Sequence, residues 1–341
     1  MKKKVFMLLS MMLLITGCGK EVKEEPKKEN KKEEVKVEEK VDIIDLESNS
    51  RPYAVVINNY PDAVKVQSGL NESYVVYEFP IEGGMTRSLA LFKDKKDVKI
   101  GTIRSARHNY IDYALENDAI FVHFGWSHEA ETQIVRMGIN NIDGNYMDPK
   151  PFWRENPEGL ATEHTVYTNL EKIINYNTNA KKYRTTTDKD PLLKYSTTDI
   201  DLSEKKDVKL ANNVEITYSY SHNVEFVYNS KTKKYDRLVN GNEHKDYFTG
   251  ESFATKNIIV VLLNWGVLNG QVDTAGNNYL DLNNIGTGKG YYITNGYAIS
   301  ITWEKTSKES QTKYLFDGEE INVSDGNTYI MFNNGENFKI S

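Results

Sequence analysis

Apolar positions along this 341-residue chain fall into short bursts separated by Gly, Pro, Asn and Lys-rich breaks. Pro52 to Asn58 (PYAVVIN), Ser73 to Phe79 (SYVVYEF), Arg87 to Phe92 and Ala119 to Phe124 (AIFVHF) are rich in β-branched and aromatic residues. Runs this short, bounded by turn formers, predict buried strands. Between them the period changes. Ala106, Tyr110, Tyr113 and Ala114 recur near helical spacing and predict a helix within Ser105 to Asn117. A second helix, Ser127 to Met137, should stop at Gly138, a natural residue just past a helix end. Thr168 with Glu171 three positions on predicts a capping box ahead of Leu170, Ile173 and Ile174. Strands alternating with helices predict a mixed α/β domain over residues 51–190.

After a Thr, Lys and Asp stretch near Lys181 to Pro191 the pattern becomes almost wholly strand-like. VEITYSYSHNVEFVYN from Val214, NIIVVLLNW from Asn257 and GYYITNGYAISITWEK from Gly290 read as strands. Asn295-Gly296 and Asp317-Gly318 each sit between such runs, and both dipeptides favour the two-residue turns that match the twist of a hairpin. A β-rich domain over residues 191–341 follows, and the fold class is α+β.

The N-terminus carries a different message. Lys2, Lys3 and Lys4 precede an apolar stretch, Val5 to Ile15, too short to span a bilayer comfortably, which is the layout of a secretory signal. Ile15-Thr16-Gly17-Cys18 resembles the lipobox of bacterial lipoproteins, which implies a signal peptide over residues 1–17 and acylation, palmitate included, at Cys18. Two or more acyl chains hold a protein stably on a membrane. The expected location is the extracytoplasmic face of the cell membrane, with the lipid anchor as membrane partner. Residues 18–50, with KEEPKKENKKEEVKVEEK at their centre, offer little to bury and should form a flexible charged tether. Cys18 is the only cysteine, so an internal disulfide and a cysteine-based zinc site are excluded. The net charge of −6 becomes −9 once the three lysines of residues 1–17 are removed, a balance that argues against a nucleic-acid partner.

A series of short motifs runs through the remainder: RPYAVVINN at Arg51, QSGL at Gln67, EGGMTR at Glu82, GTIRSAR at Gly101, VHFGWSHEA at Val122, FWRE at Phe152 and EHTVYTNL at Glu163. YDRLVNGNEHKDYFTG from Tyr235 and GKGYYITNGYAISITW from Gly288 follow in the second half. In this order they resemble the YerB-like lipoprotein family, whose two domains are known chiefly as being of unknown function. Thr102 stands where proline is expected of that family, and VKVQSGL replaces a more basic ARPQSGL.

The resemblance implies little chemistry, so candidate sites come from residue types. Arg104 and Arg107 follow a short apolar run and precede a predicted helix. Their spacing can aim both planar, bidentate donors at one carboxylate or phosphate, or spend them on internal pairs with Glu78 or Glu82. Arg87, Ser105 and Arg154 are further candidate ligand-binding residues. Gly83-Gly84 permits positive φ between Glu82 and Arg87, as a tight hairpin turn or as a close approach to a ligand. Glu82, His123 and His164 are the candidates for acid and base chemistry, set against buried structural pairs.

Several enzyme classes fail on their own motifs. His128-Glu129 begins like a zinc-protease helix, but Thr132 replaces the second histidine. The run from Gly125 to Glu129 lacks the final glycine of a nucleophile elbow. No phosphate-binding loop or dinucleotide fingerprint is present, and no cofactor or metal is expected. Trp265 and Trp303 suggest sugar stacking or core packing, and Asp236, Arg237, His244 and Asp246 form a polar cluster in sequence. The favoured function is a membrane-anchored protein binding an anionic cell-wall polymer or an envelope protein; the alternative is a cell-wall glycan hydrolase or lyase using a Glu/His/Arg site.

Overall fold

A computed structural model of the chain describes residues 40–95, 97–145, 151–156 and 158–341. The expected signal peptide, Cys18 and most of the tether lie outside the described residues. The described residues belong to one compact unit. The protein is strand-rich, with 44% strand against 15% helix.

Its spine is a twelve-stranded mixed sheet. From one edge the order is Glu319–Glu320, Lys313–Phe316, Tyr297–Lys305, Gly286–Thr294, Asn257–Leu262, Thr328–Asn333, Val75–Pro80, Thr86–Phe92, Tyr53–Asn58, Ile120–His123 and Asn141–Asp143, and Lys209–Leu210 pairs with Tyr297–Lys305. Strands from both sides of residue 190 therefore share one hydrogen-bonded ladder. The junction is the parallel pair of Val75–Pro80 with Thr328–Asn333, in which Tyr77 lies opposite Ile330.

The continuous apolar runs have a direct cause: both faces of the central strands are covered. Ala54, Val56, Val75, Tyr77, Leu89 and Leu91 face one core, shared with Tyr110, Ile111 and Ala114 of the helix His108–Glu116 and with Ala130 and Ile134 of the helix His128–Met137. Their neighbours Val55, Ile57, Val76 and Ala90 face the other core, closed by Val214, Ile216 and Phe226. Those three belong to a six-stranded sheet that includes Asn213–Ser219, His222–Asn229 and Lys234–Val239.

Local signals explain the ends of elements. Gly138 takes φ 63° after the helix His128–Met137, and Ser127 caps its start by accepting from the Ala130 amide. Asn295 and Gly296, at φ 50° and 83°, turn the hairpin between Gly286–Thr294 and Tyr297–Lys305. Asp317 and Gly318 do the same at 50° and 86°. The helix Leu170–Tyr176 starts differently from the capping box expected at Thr168: the side chain of Asn169 accepts from the amides of Glu171 and Lys172, while the Thr168 hydroxyl donates to the Pro151 carbonyl.

Candidate functional site

The strands Val75–Pro80 and Thr86–Phe92 are joined by a turn in which Gly83 and Gly84 hold φ 72° and 69°. That turn stands beside the segment Gly101–Arg107, which is extended, so Arg104 lies before the helix rather than in its first turn. Hydrogen bonds fix the segment on both flanks. The Arg104 amide donates to Val56 and the Ile103 amide to Val166, while the Arg104 carbonyl accepts from Phe124 and the Ala106 amide donates to Gly125. Gly101 is obligatory at its start, because a Cβ there would sit 2.2 Å from Cδ1 of Tyr167. The helix then begins at His108 with Arg107 as its N-cap residue.

Together these elements wall a polar cleft of about 680 Å³. Glu82, Arg87, Arg104, Ser105 and Arg107 all line it. Five candidates from two motifs, EGGMTR and GTIRSAR, thus meet in one place. The far wall is a two-stranded arm, Trp265–Val272 with Asn278–Leu282, whose connecting turn supplies Asp273 and Asn277 and whose second strand supplies Tyr279. The arm is tied down by Asn109, which donates to the Leu280 carbonyl and accepts from the Leu282 amide.

The charges in the cleft are unequally satisfied. Arg107 is paired: its guanidinium grips Glu82 through two nitrogens, one of them Nε at 3.1 Å from Oε2, and lies 4.8 Å from the ring of Tyr279. Burial opposes charge on both partners, but the pair outweighs it, so Glu82 is held below the usual carboxylate range and Arg107 above its own. A carboxylate held ionised in this way is poorly suited to donate a proton. Arg87 is only 5% exposed; Nη1 donates to the Ser105 carbonyl at 2.7 Å, and Nε has no partner among the described residues. Burial and the neighbouring Arg107 draw Arg87 down to about 9, which leaves it a cation at neutral pH. The guanidinium of half-buried Arg104 has no hydrogen-bond or ion-pair partner among the described residues, and it is lowered by burial although Glu163 lies nearby.

A second lobe of about 440 Å³ adjoins the first and shares Arg104, Ser105 and Trp126 with it. Arg154 lines this lobe, where it donates to the Thr165 hydroxyl at 3.1 Å and stacks 5.0 Å from the ring of Phe124.

The two histidines stand apart from the cleft lining. His123 is fully buried; its Nδ1 donates to the Gly125 carbonyl at 2.9 Å and lies 3.6 Å from Asp143, and burial lowers its basicity. It supports the wall formed by Gly125 and Trp126 from behind. His164 accepts at Nδ1 from Asn58 at 2.9 Å, stacks on Tyr60 at 5.0 Å, and is lowered by burial and by Arg104. Asn58 and Tyr60 stand between it and the cleft as lining residues. Among the described residues no group of three or more His, Cys, Asp or Glu is placed to hold a metal ion, and no helix is long and apolar enough to cross a membrane.

Sequence reasoning missed Asn58, Tyr60, Asp273, Asn277 and Tyr279 as lining residues. Nothing local signals the arm residues, because only the docking of the arm brings them to Arg107. Trp303 proves to be core, with its indole N–H donating to the Leu262 carbonyl at 3.1 Å. The polar cluster around Arg237 also has a structural partner: Arg237 donates to fully buried Glu78, and Asp246 accepts from the Ser68 hydroxyl and the Gly69 amide.

Comparison with known proteins agrees with this architecture. The N-terminal domain of the protein family of unknown function DUF3048 matches residues 42–184, and its C-terminal domain matches residues 214–330. The chain belongs to this YerB-like family. It is 30% identical over 283 residues to the Bacillus subtilis (strain 168) protein named "Putative lipoprotein YerB", a match covering 82% of this chain and 80% of that protein. The crystal structure of YerB from Bacillus subtilis superposes with a TM-score of 0.72 at 29% identity, covering 86% of this chain and 94% of that one. Kinship with a lipoprotein fits the lipobox-like Cys18, and the family description leaves the function of the arginine cleft open.

Proposed function

We propose that this YerB-like protein is anchored through Cys18 on the extracytoplasmic face of the membrane and binds an anionic component of the cell envelope in the arginine cleft. The observation that carries this reading is the pair Arg87 and Arg104. One guanidinium is buried with Nε unpartnered, the other faces the cleft without an ion pair among the described residues, and both stand beside Arg107. A buried, incompletely bonded cation costs several kcal/mol unless an anion completes its shell. Planar guanidinium donors suit carboxylate or phosphodiester oxygens. The preference for binding over hydrolysis rests on the state of the acid and base candidates, since Glu82 is committed to Arg107 and both histidines lie behind the lining.

The test is co-sedimentation of the full chain with purified cell wall, with soluble products analysed by mass spectrometry. Retention that falls at least about tenfold with Arg104→Ala, at unchanged thermal midpoint and without released fragments, is the expected result. Retention unaffected by Arg104→Ala would defeat the cleft as the binding site, and fragments lost in Glu82→Gln would replace binding by hydrolysis. Partition of the parent into detergent, lost in Cys18→Ser, tests the anchor.

A further inference from the structure

On the other side of the Gly83 turn lies a second depression of about 480 Å³. It shares Ile81, Glu82, Gly83, Met85 and Asn277 with the arginine cleft, so the two are contiguous. Gly83 forms the saddle between them: a Cβ built there would come within 3.4 Å of the Asn277 amide nitrogen.

The chemistry changes sharply across that saddle. Among the described residues the depression has no Lys, Arg or His in its lining, and its only acids are Glu82 and Glu336. Five asparagines line it instead, together with Thr217, Tyr218 and the half-buried Trp265. Asn333 and Asn334 spend their carbonyl oxygens on the Gly335 and Glu336 amides, which leaves their NH₂ groups as donors. The side-chain amides of Asn278 and Asn337 and the Trp265 indole N–H have no hydrogen-bond partner among the described residues. The Tyr218 hydroxyl is buried with none. Neutral amides that both donate and accept, set beside aromatic surface, suit the vicinal hydroxyls and apolar C–H faces of a sugar or polyol.

The charge count limits the neighbouring anion. Among the described residues the cleft and its second lobe hold Arg87, Arg104, Arg107 and Arg154 against Glu82, Asp273 and Glu163, an excess of one positive charge. That excess suits a single phosphate group better than a run of them.

We infer that the two depressions form one composite site for a phosphorylated sugar or polyol, with the phosphate on Arg87 and Arg104 and the hydroxylated part in the groove beside Trp265. This deepens the anion-binding function proposed above and rests on it.

The experiment is calorimetric titration of the full chain in detergent with inorganic phosphate, α-D-glucose 1-phosphate and glycerol 3-phosphate. Glucose 1-phosphate or glycerol 3-phosphate should bind at least about tenfold tighter than phosphate. Trp265→Phe, which removes the indole N–H but keeps an aromatic ring, and Asn278→Ala, on the exposed rim, should each erase most of that gain and leave phosphate binding unchanged. Arg104→Ala should weaken all three ligands. A gain confined to glucose 1-phosphate identifies a sugar ring, and equal gains identify a simple polyol. Phosphate bound in the cleft with no gain for either ester overturns the composite site and leaves the anion cleft standing. No binding of any of the three overturns both.

Discussion

The carboxylate of Glu78 and the guanidinium of Arg237 meet at 2.8 Å, at 0% and 2% side-chain exposure, across 159 residues of sequence. Glu78 comes from the strand Val75–Pro80 and Arg237 from the six-stranded sheet, so the pair bolts the second sheet to the spine. Thr86 donates to the other carboxylate oxygen at 2.7 Å, and Arg237 also donates to Nδ1 of His244 at 2.6 Å. Glu78→Gln, close to isosteric, leaves a buried guanidinium without its counter-charge and should cost about 3–5 kcal/mol, read by urea unfolding. Glu78→Gln combined with Arg237→Met should recover much of that loss; equal loss in the single and double variants would show that shape rather than charge is at stake.

The same cluster predicts lability to acid. Burial alone would raise Glu78, but Arg237 and His222 outweigh it and hold the carboxyl near 2 against 4.5 when free. A depressed carboxyl adds stability that is complete above about pH 4.5 and is lost as pH falls toward 2, an effect of about 3 kcal/mol. His244 is pushed well below 6.5 by burial and by Arg237, so the unfolded chain binds that proton first and stability also declines as pH drops below 6.5. Unfolding midpoints measured from pH 7.5 to 3 should fall in both windows, and Glu78→Gln should flatten only the lower one.

Arg104 and Arg107 should part company on stability. Arg104→Ala removes a guanidinium with no pair among the described residues and should stay within about 0.5 kcal/mol of the parent. Arg107→Ala strands Glu82 and should cost about 2–3 kcal/mol. Thermal melts of the two variants side by side decide this; equal losses would mean that Arg104 has a structural duty as well.

Gly101→Ala drives a methyl group into the ring of Tyr167, whose hydroxyl is fixed on the Val66 carbonyl at 2.7 Å. Overpacking of this kind costs about 1–3 kcal/mol. Because Gly101 begins the segment that carries Arg104, wall retention should fall along with the melting temperature. A variant that loses stability and binds normally would uncouple the segment from the cleft.

What could be read in advance depended on how local its cause was. Strands buried on both faces announced themselves as unbroken apolar runs, and Asn295-Gly296 and Gly138 were legible because a backbone angle selects the residue. The meeting of Glu82, Arg87, Arg104 and Arg107 was half legible: the residue types suggested an anion, but only the fold sets Arg87 across from Asn58 in the strand register. Asp273, Asn277 and Tyr279 gave no sign, since their role depends on an arm docked by Asn109 far away in sequence. His123 was ambiguous for a simple reason: a strand histidine looks the same whether its ring faces a cleft or the back of its wall.

The strand Thr328–Asn333 lies between Asn257–Leu262 and Val75–Pro80 and runs parallel to both. It also follows both of them in chain order, so it leaves a ribosome after them. Until it arrives, its two neighbours each present a bare, strongly apolar edge of the kind that recruits other chains. The keystone of this molecule is therefore laid after both the stones it joins, and their open edges must be shielded until it closes the gap.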